Sequence, residues 1–414
     1  MRNFFAIIAV LAVGMASLSA CGKQTPDDGT EGNEYVPVTL TKAESGISDK
    51  ANEFGFNVYH ALYEDNQMLI SPLSLSLALA MTACGADGDT EAQMTSTLGF
   101  NDYTSEEVAG YYKKVVDALK SIDNKTVFEI ANSIWISKYL NVKKDFVSIV
   151  RDNFSSEERT VDFSDPKVVG QINKWCSDNT HGKVSEIVKD MSPDTAMALV
   201  NALYFNGRWG GFTFNEKTAK EDFRTLRGGT SKVDMMSAHA DLTCSFNDGW
   251  SMINLPYGNY AFRMSVILPP EDMDFREAAA SLNADSFRNL QYAGRGYSVN
   301  LKMPQFKYNY SVDELREALE KLGMKDAFSS KANFSKMADI PAGDALYIGT
   351  VKHKTFIDVT TKGTEAAAVT LVGMKFASAA PPSGPVDFIV DRPFFYVISE
   401  GSTGAILFIG QKTE

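Results

Sequence analysis

A ten-residue apolar run near the middle of the chain, Ala196–Phe205 ("AMALVNALYF"), most constrains what this sequence can fold into. A strand with one solvent-exposed face alternates apolar and polar residues, whereas this run is apolar at nearly every position. We therefore expect it to be the central strand of a sheet that is covered on both faces. The chain has 414 residues, of which 44% are hydrophobic, so it can bury a core of that kind.

The other patterns along the chain favour an α+β fold with largely antiparallel sheets. Helical apolar spacing and capping residues predict helices over residues 49–62, 71–86, 106–120, 144–153, 168–179 and 312–322. Alternating or continuous apolar runs predict strands over residues 127–137, 196–205, 262–269 and 297–306, and a final hairpin around "EGSTG". Helices thus dominate the first half of the chain and strands the second.

The N-terminus has the pattern of an export signal. Arg2 precedes an apolar run from Phe4 to Leu18, which is too short and wrongly flanked for a membrane-spanning helix. The tetrapeptide "LSAC", ending at Cys21, resembles the bacterial lipoprotein cleavage box, in which the cysteine becomes the lipidated first residue. The alternative is cleavage after Ala20, with Cys21 left as a free thiol.

This pattern divides the chain into three parts. We expect residues 1–20 to be a lipoprotein signal peptide, residues 21–45 to be the lipidated cysteine and a flexible tether, and residues 46–414 to be one globular domain. The expected location is that of an exported bacterial lipoprotein of the outer membrane, on its periplasmic or its cell-surface side. The lipid would then be the domain's only contact with the membrane.

Charge and cysteine usage exclude other classes of protein. The formal net charge is −12, with 40 Lys and Arg against 52 Asp and Glu, and no basic cluster is interleaved with aromatic residues. Nucleic acid is therefore not an expected partner. Cys84, Cys176 and Cys244 are far apart in the sequence, which argues against a disulfide framework and favours buried, unpaired thiols.

No constellation of catalytic residues is present. The sequence lacks GxSxG, HExxH and GxxxxGK[ST], and its four histidines are too scattered to share a metal ion. Cys176 and His181 could be imagined as nucleophile and base, but at this spacing, on or just past a helix, their side chains diverge. The sequence thus predicts no enzyme, no metal site and no cofactor.

The most unusual segment is "KGTEAAAVTLVGMKFASAAPPSGP", residues 362–385. Read with a period of two, the side that begins with Thr364 carries no charge and starts with small residues, so the segment could enter a sheet as a strand. The alternatives are a mobile loop or an exposed helix, and propensity favours helix for Glu365–Ala368.

Several motifs in sequence order resemble the serpin family. "KGTEAAAVT" is similar to the hinge of the serpin reactive-centre loop. The likeness spans about residues 46–411. Four further stretches match the family in the same order: Asn66–Met94, Ile172–Val188, Ala198–Trp209 and Phe388–Ile398. The resemblance implies one α+β domain with three β-sheets, about nine helices and an exposed reactive-centre loop near the C-terminus.

The resemblance also assigns residues to the loop. The hinge would consist of Thr361, Lys362, Gly363, Thr364, Glu365, Ala366, Ala367 and Ala368. The family's usual spacing of about fourteen residues from the hinge glycine places the attacked bond between Ala377 and Ser378, with Phe376 or Lys375 as alternative bait residues.

A second set of residues matches the family's gate beneath the central strands. It comprises Ser71, Ser74, Asn201 and His353, and the resemblance implies that His353 links Asn201 to the two serines. Many serpins also pair an acidic residue near the hinge with a lysine. This chain has Thr361 and Gln305 there, which predicts a neutral polar contact instead.

The function implied is that of a monomeric inhibitor of serine proteases that acts as a suicide substrate. After cleavage and acyl-enzyme formation, the loop would insert into the large sheet and trap the protease. An alanine bait favours elastase-like or subtilisin-like targets, with papain-like cysteine proteases as a further target class. The alternative is a non-inhibitory serpin that acts as a binding or scaffolding module.

Overall fold

The computed structural model describes residues 4–15, 32–312, 315–341, 344–364 and 385–414. In these ranges the α-helices are α1 (Lys42–Ala61), α2 (Pro72–Ala83), α3 (Gly88–Leu98), α4 (Ser105–Leu119), α5 (Lys144–Phe154), α6 (Lys167–Asp178), α7 (Phe275–Ser281), α8 (Ala284–Tyr292) and α9 (Arg316–Lys321). The strands of the first half are β1 (Phe4–Met15), β2 (Met68–Ile70), β3 (Thr126–Ser137), β4 (Ser156–Val161) and β5 (Thr195–Arg208). The later strands are β6 (Ala219–Arg224), β7 (Thr230–Asn247), β8 (Trp250–Pro256), β9 (Phe262–Leu268), β10 (Arg295–Pro304), β11 (Phe306–Val312), β12 (Ala345–Thr360), β13 (Gly363–Thr364), β14 (Val386–Ile389), β15 (Phe394–Glu400) and β16 (Ile406–Lys412).

The apolar run forms β5, near the middle of a seven-stranded sheet. Every residue from Thr195 to Phe205 is buried, as the absence of alternation predicted. Met197 and Leu199 join the main core on one face, while Ala198 and Val200 join a smaller cluster with α6 on the other. Because successive side chains of a strand point to opposite faces, both faces of β5 are covered.

The remaining strands form a sheet of nine, in the order β14-β10-β7-β8-β9-β15-β16-β2, with β6 on β7. The 18-residue strand β7 pairs with β6 and β10 along most of its length and with β8 near its end. It thereby joins two smaller sheets, so the α+β fold has the predicted three-sheet arrangement in a single domain. The predicted C-terminal hairpin is formed by β15 and β16.

Helix α2 shows why the local sequence signals were informative. The Ser71 side chain accepts a hydrogen bond from the Ser74 backbone N–H, and Pro72 occupies the first helical position, where no N–H is needed. Every residue of α2 is buried, so the helix lies inside the main core. The predicted helix over residues 312–322 is only partly correct, because β11 extends to Val312 and α9 begins at Arg316.

Residues 32–41 differ from the flexible tether that the sequence predicts up to residue 45. Asn33 and Tyr35 hydrogen-bond to residues 91 and 365 positions away, respectively. Helix α1 then begins behind a capping box, in which Thr41 and Glu44 bond each other's backbone N–H. Residues 32–41 are therefore attached to the rest of the protein by hydrogen bonds, and the predicted boundary between tether and domain at residue 46 stays a prediction.

The segment Phe4–Met15, assigned by the sequence to the export signal, is strand β1 of the seven-stranded sheet. Residues 16–31, including Cys21, lie outside the described residues. The signal boundary and lipidation therefore stay predictions.

Candidate strand-insertion site

Strands β5 and β12 run in the same direction and are held one strand apart. Strand β1 fills most of the space between them, and its pairing with both neighbours is parallel. Leu11, for example, pairs with Asn201 of β5 and with His353 of β12. We call the space between β5 and β12 the slot.

The hinge glycine and threonine lie at one end of the slot. They form β13, which follows β12 after a tight turn and pairs antiparallel with β12 through Val359 and Thr364 and with β5 through Gly363 and Arg208. A chain that continued from Thr364 in the same direction would run down the slot as an additional strand. The predicted hinge residues Glu365, Ala366, Ala367 and Ala368 lie outside the described residues.

Gly363 is required at its position for two reasons. Its φ is +142°, a value that residues with a side chain rarely adopt, and a Cβ there would collide with the carbonyl oxygen of Gly207. The close approach of β13 to β5 therefore depends on the missing side chain. The glycine at the predicted hinge position is thus explained by packing at the entrance of the slot.

Thr364 is fully buried, and two aromatic residues hold the hinge in place. Its hydroxyl lies 2.6 Å from the hydroxyl of Tyr257, whose pKa is raised by burial, so the phenol stays protonated at neutral pH. Trp209 stacks on the Tyr257 ring, with centroids 4.8 Å apart, and its indole N–H donates to the carbonyl of Thr360 at 3.0 Å. The sequence offered no signal for Tyr257, which lies 107 positions from Thr364.

The structure brings the four predicted gate residues together in a buried cluster. Ser74 Oγ donates to Asn201 Oδ1, and the backbone N–H of Ser71 donates to His353 Nε2 at 3.1 Å. Sequence reasoning missed a fifth member, Asn132 of β3, whose Oδ1 accepts from Asn201 Nδ2 at 2.6 Å. Both polar ends of the Asn201 amide are thus paired, as burial requires.

The expected link between His353 and Asn201 is absent from the described residues. These residues lie on β12 and β5, and β1 separates the two strands at this level. Since His353 Nε2 accepts a hydrogen bond, the neutral ring carries its proton on Nδ1, and this buried atom has no partner. Burial lowers the pKa of His353 to about 3, so the ring is neutral at physiological pH.

Two other predictions concern the hinge contact and the bait. The described residues contain no hydrogen bond between Thr361 and Gln305. The hinge is bonded to Trp209 and Tyr257 instead. The predicted reactive bond between Ala377 and Ser378 and the alternative bait residues Phe376 and Lys375 all lie in the part of the chain that the structure leaves undescribed.

Cys176 and His181 lie in different surroundings, which do not suit a nucleophile and its base. Cys176 is fully buried, and burial raises the pKa of its thiol, which disfavours the nucleophilic thiolate. His181 lies half exposed, with Nε2 2.8 Å from Glu129. Cys84, Cys176 and Cys244 are free thiols.

Neither a metal site nor a membrane-spanning helix occurs within the described ranges. No group of three or more His, Cys, Asp or Glu residues there could hold a metal ion. Across the same ranges, every helix is too short or too polar to cross a bilayer.

Comparison with known proteins agrees with this geometry. The family model described as "Serpin (serine protease inhibitor)" matches residues 49–414. The chain is 31% identical to iripin-2 of Ixodes ricinus over 379 residues, which cover 89% of this chain and 93% of that protein. The crystal structure of a thermophilic serpin, tengpin, in the native state aligns with a TM-score of 0.80 at 32% identity, covering 94% of this chain and 98% of that chain. Human thyroxine-binding globulin in complex with its ligand aligns with a TM-score of 0.79 at 27% identity, covering 90% and 99%.

The chain therefore belongs to the serpin family. Serpins are generally protease inhibitors rather than enzymes.

Proposed function

We propose that this protein inhibits serine proteases as a suicide substrate, with the loop after Thr364 as bait. The protease would attack the loop and form an acyl-enzyme, and the cut loop would then enter the slot and carry the protease with it. Elastase-like or subtilisin-like enzymes are the proposed targets, since Ala377 is the proposed bait residue, and papain-like cysteine proteases are a further class.

One observation carries this proposal: β13 already lies between β5 and β12, antiparallel to both. An inserted loop would extend β13 with the same polarity and would satisfy the backbone groups of both neighbouring strands. Each such hydrogen bond contributes roughly 1 kcal/mol net. The slot can hold a full strand, since it accommodates β1 over most of its length.

The decisive experiment places a charge at the hinge. Thr364→Arg would put a guanidinium where the native side chain is fully buried and bonded to Tyr257, at a cost of several kcal/mol. We expect this variant to fold but to be cleaved as a substrate, without forming an SDS-stable complex. Thr364→Ser is the matched control, because it keeps the hydroxyl and should still trap an elastase-like enzyme.

Two outcomes would count against trapping. Inhibition by Thr364→Arg equal to that of the wild type would exclude insertion of the hinge. Cleavage of the wild-type loop with full recovery of protease activity across a panel of enzymes would favour the alternative of a binding or scaffolding module. Mass spectrometry of the clipped chain identifies the bond and decides between Ala377, Phe376 and Lys375.

We further propose that the protein is lipidated on Cys21 and anchored in the bacterial outer membrane. The motif "LSAC" supports this location, and the glycine that follows Cys21 is compatible with it. Labelling with a radioactive fatty acid should mark the wild type and leave Cys21→Ser unlabelled. Equal labelling of both would refute lipidation at this residue.

A further inference from the structure

Residues 32–40, which have no regular secondary structure and which we call the strap, precede the region matched by the family model, which begins at residue 49. We propose that the strap positions the hinge: it holds the 257–261 turn in place and thereby sets the rate at which the reactive loop enters the slot. This role rests on the proposed inhibitory function and assigns a part in it to Asn33 and Tyr35.

The first grip of the strap is at Asn33. The side-chain amide of Asn259, in the 257–261 turn, donates to the Asn33 backbone carbonyl at 3.2 Å, to Asn33 Oδ1 at 3.4 Å and to the Ile122 carbonyl at 2.8 Å. Asn33 itself donates from Nδ2 to the same Ile122 carbonyl at 3.0 Å and accepts from the Asn124 backbone N–H at 2.8 Å. The strap is thus bonded both to the turn and to the connection between α4 and β3.

The second grip is at Tyr35. Its hydroxyl donates to the fully buried carboxylate of Glu400 at 2.8 Å, and the backbone N–H of Val38 donates to Ser402 Oγ at 2.9 Å. Both acceptors lie at the connection between β15 and β16. The next backbone N–H of that connection, from Gly401, donates to the carbonyl of Ala261 at 2.8 Å. The strap therefore contacts the 257–261 turn directly at Asn259 and, through Glu400 and Gly401, indirectly at Ala261.

The same turn carries the contacts to the hinge. Tyr257 bonds Thr364, and the next residue, Gly258, donates its N–H to the carbonyl of Arg208 at the end of β5 at 2.8 Å. Asn259, bonded to the strap, follows directly. Three consecutive residues thus connect the strap, the end of β5 and the hinge.

The turn has a backbone conformation that needs support from its surroundings. Tyr260 has a φ of +75°, an outlier for a bulky residue. Gly258 has a φ of +44°, and a Cβ there would collide with the carboxylate of Asp123. Asp123 in turn accepts from the Asn259 backbone N–H at 3.2 Å and from Thr126 Oγ1 at 2.6 Å. Since strained conformations persist only when their surroundings hold them, we expect this turn to relax when one neighbour is removed.

Relaxation of the turn would withdraw Tyr257 from Thr364 and loosen the end of β5. The entrance of the slot would then open without a protease, and the intact loop would insert spontaneously. Its bait residue would no longer be accessible to a protease. The net contribution of one hydrogen bond changes an equilibrium constant about two- to tenfold. Loss of one grip should therefore accelerate spontaneous inactivation about tenfold.

The test compares Asn33→Ala and Tyr35→Phe with Val36→Ala, all in the full mature chain. Val36 belongs to the same strap but is 70% exposed, so its replacement controls for changes in the strap itself. Each protein is incubated at 45 °C without protease, and the remaining inhibitory capacity and the amount of heat-stable form are followed with time. Amide hydrogen exchange is measured in parallel at residues 257–261.

We expect both grip variants to inactivate about tenfold faster than the wild type and to exchange faster at residues 257–261, with Val36→Ala unchanged. Asn283→Ala removes the N-cap of α8 and lowers overall stability away from the turn, so it should leave the inactivation rate unchanged. The role of the strap is overturned if the double variant Asn33→Ala/Tyr35→Phe behaves as wild type, or if Asn283→Ala accelerates inactivation equally. If the wild type inhibits no protease, the proposed function fails, but the strap can still be tested. The amide exchange rates at residues 257–261 and the rate at which the heat-stable form appears then show whether the strap holds the turn.

Discussion

The neutral, buried His353 makes stability depend on pH in a window that can be calculated. Burial lowers its pKa to about 3, against 6.5 for the exposed side chain in the unfolded chain. Above pH 6.5 the ring is neutral in both states. As the pH falls below 6.5 the unfolded chain binds a proton that the folded protein does not, so the folded state loses stability until the pH reaches about 3.

The magnitude follows from 1.36 kcal/mol per unit of pKa difference. Between pH 7 and pH 5 the loss attributable to His353 is about 2 kcal/mol. We expect urea unfolding, followed by circular dichroism, to show this loss in the wild type. In His353→Gln the new side chain does not titrate but can still accept a hydrogen bond from the Ser71 N–H. The free energy of unfolding of this variant should therefore fall by about 2 kcal/mol less than that of the wild type between pH 7 and pH 5.

Other groups also titrate between pH 7 and pH 5, but they are common to both proteins. The difference between the two curves therefore isolates His353. Parallel curves over this range would show that the ring is solvated or already charged in the folded protein, and would refute a gate built around a dry, neutral histidine.

Three further predictions follow from the buried contacts. Asn132→Ala should lower the free energy of unfolding by about 1–3 kcal/mol in urea titration, because it removes the acceptor of the buried Asn201 Nδ2 group, whereas Asn153→Ala, which removes a bond within one exposed helix turn, should cost less. A precursor that retains residues 1–20 should form no SDS-stable complex with a protease that the mature chain traps, because β1 occupies the slot; equal trapping by the two would contradict this. Cys176 should resist iodoacetamide at pH 8 in the native protein and react only in denaturant, as judged by mass spectrometry, and native labelling would show that the cluster beneath α6 opens.

The sequence predicted those features that short-range patterns determine. The unbroken apolar run identified β5 as a strand buried on both faces, and Ser71 with Pro72 marked the start of α2. The resemblance to the serpin family identified the hinge and gate residues, because the stretches that contain them match the family's motifs in the same order along the chain.

The features that were missed depend on contacts between distant segments. Tyr257 contacts Thr364 across 107 positions, and Asn33 contacts Asn259 across 226, so no local pattern signals either pair. The segment around the strap is rich in Gly, Pro and acidic residues, a composition typical of tethers, and its ordering comes from acceptors such as Glu400 that the rest of the fold places nearby. The described residues do not form the expected link between His353 and Asn201, because β1 lies between their strands, which the sequence does not reveal.

The slot holds β1 parallel to its walls and β13 antiparallel to them. Its edges are rows of main-chain donors and acceptors, which recognise an extended backbone of either polarity and only weakly select side chains. Short synthetic peptides with a sequence in either direction are therefore candidate inhibitors that would occupy the slot and block loop insertion before the protein meets a protease.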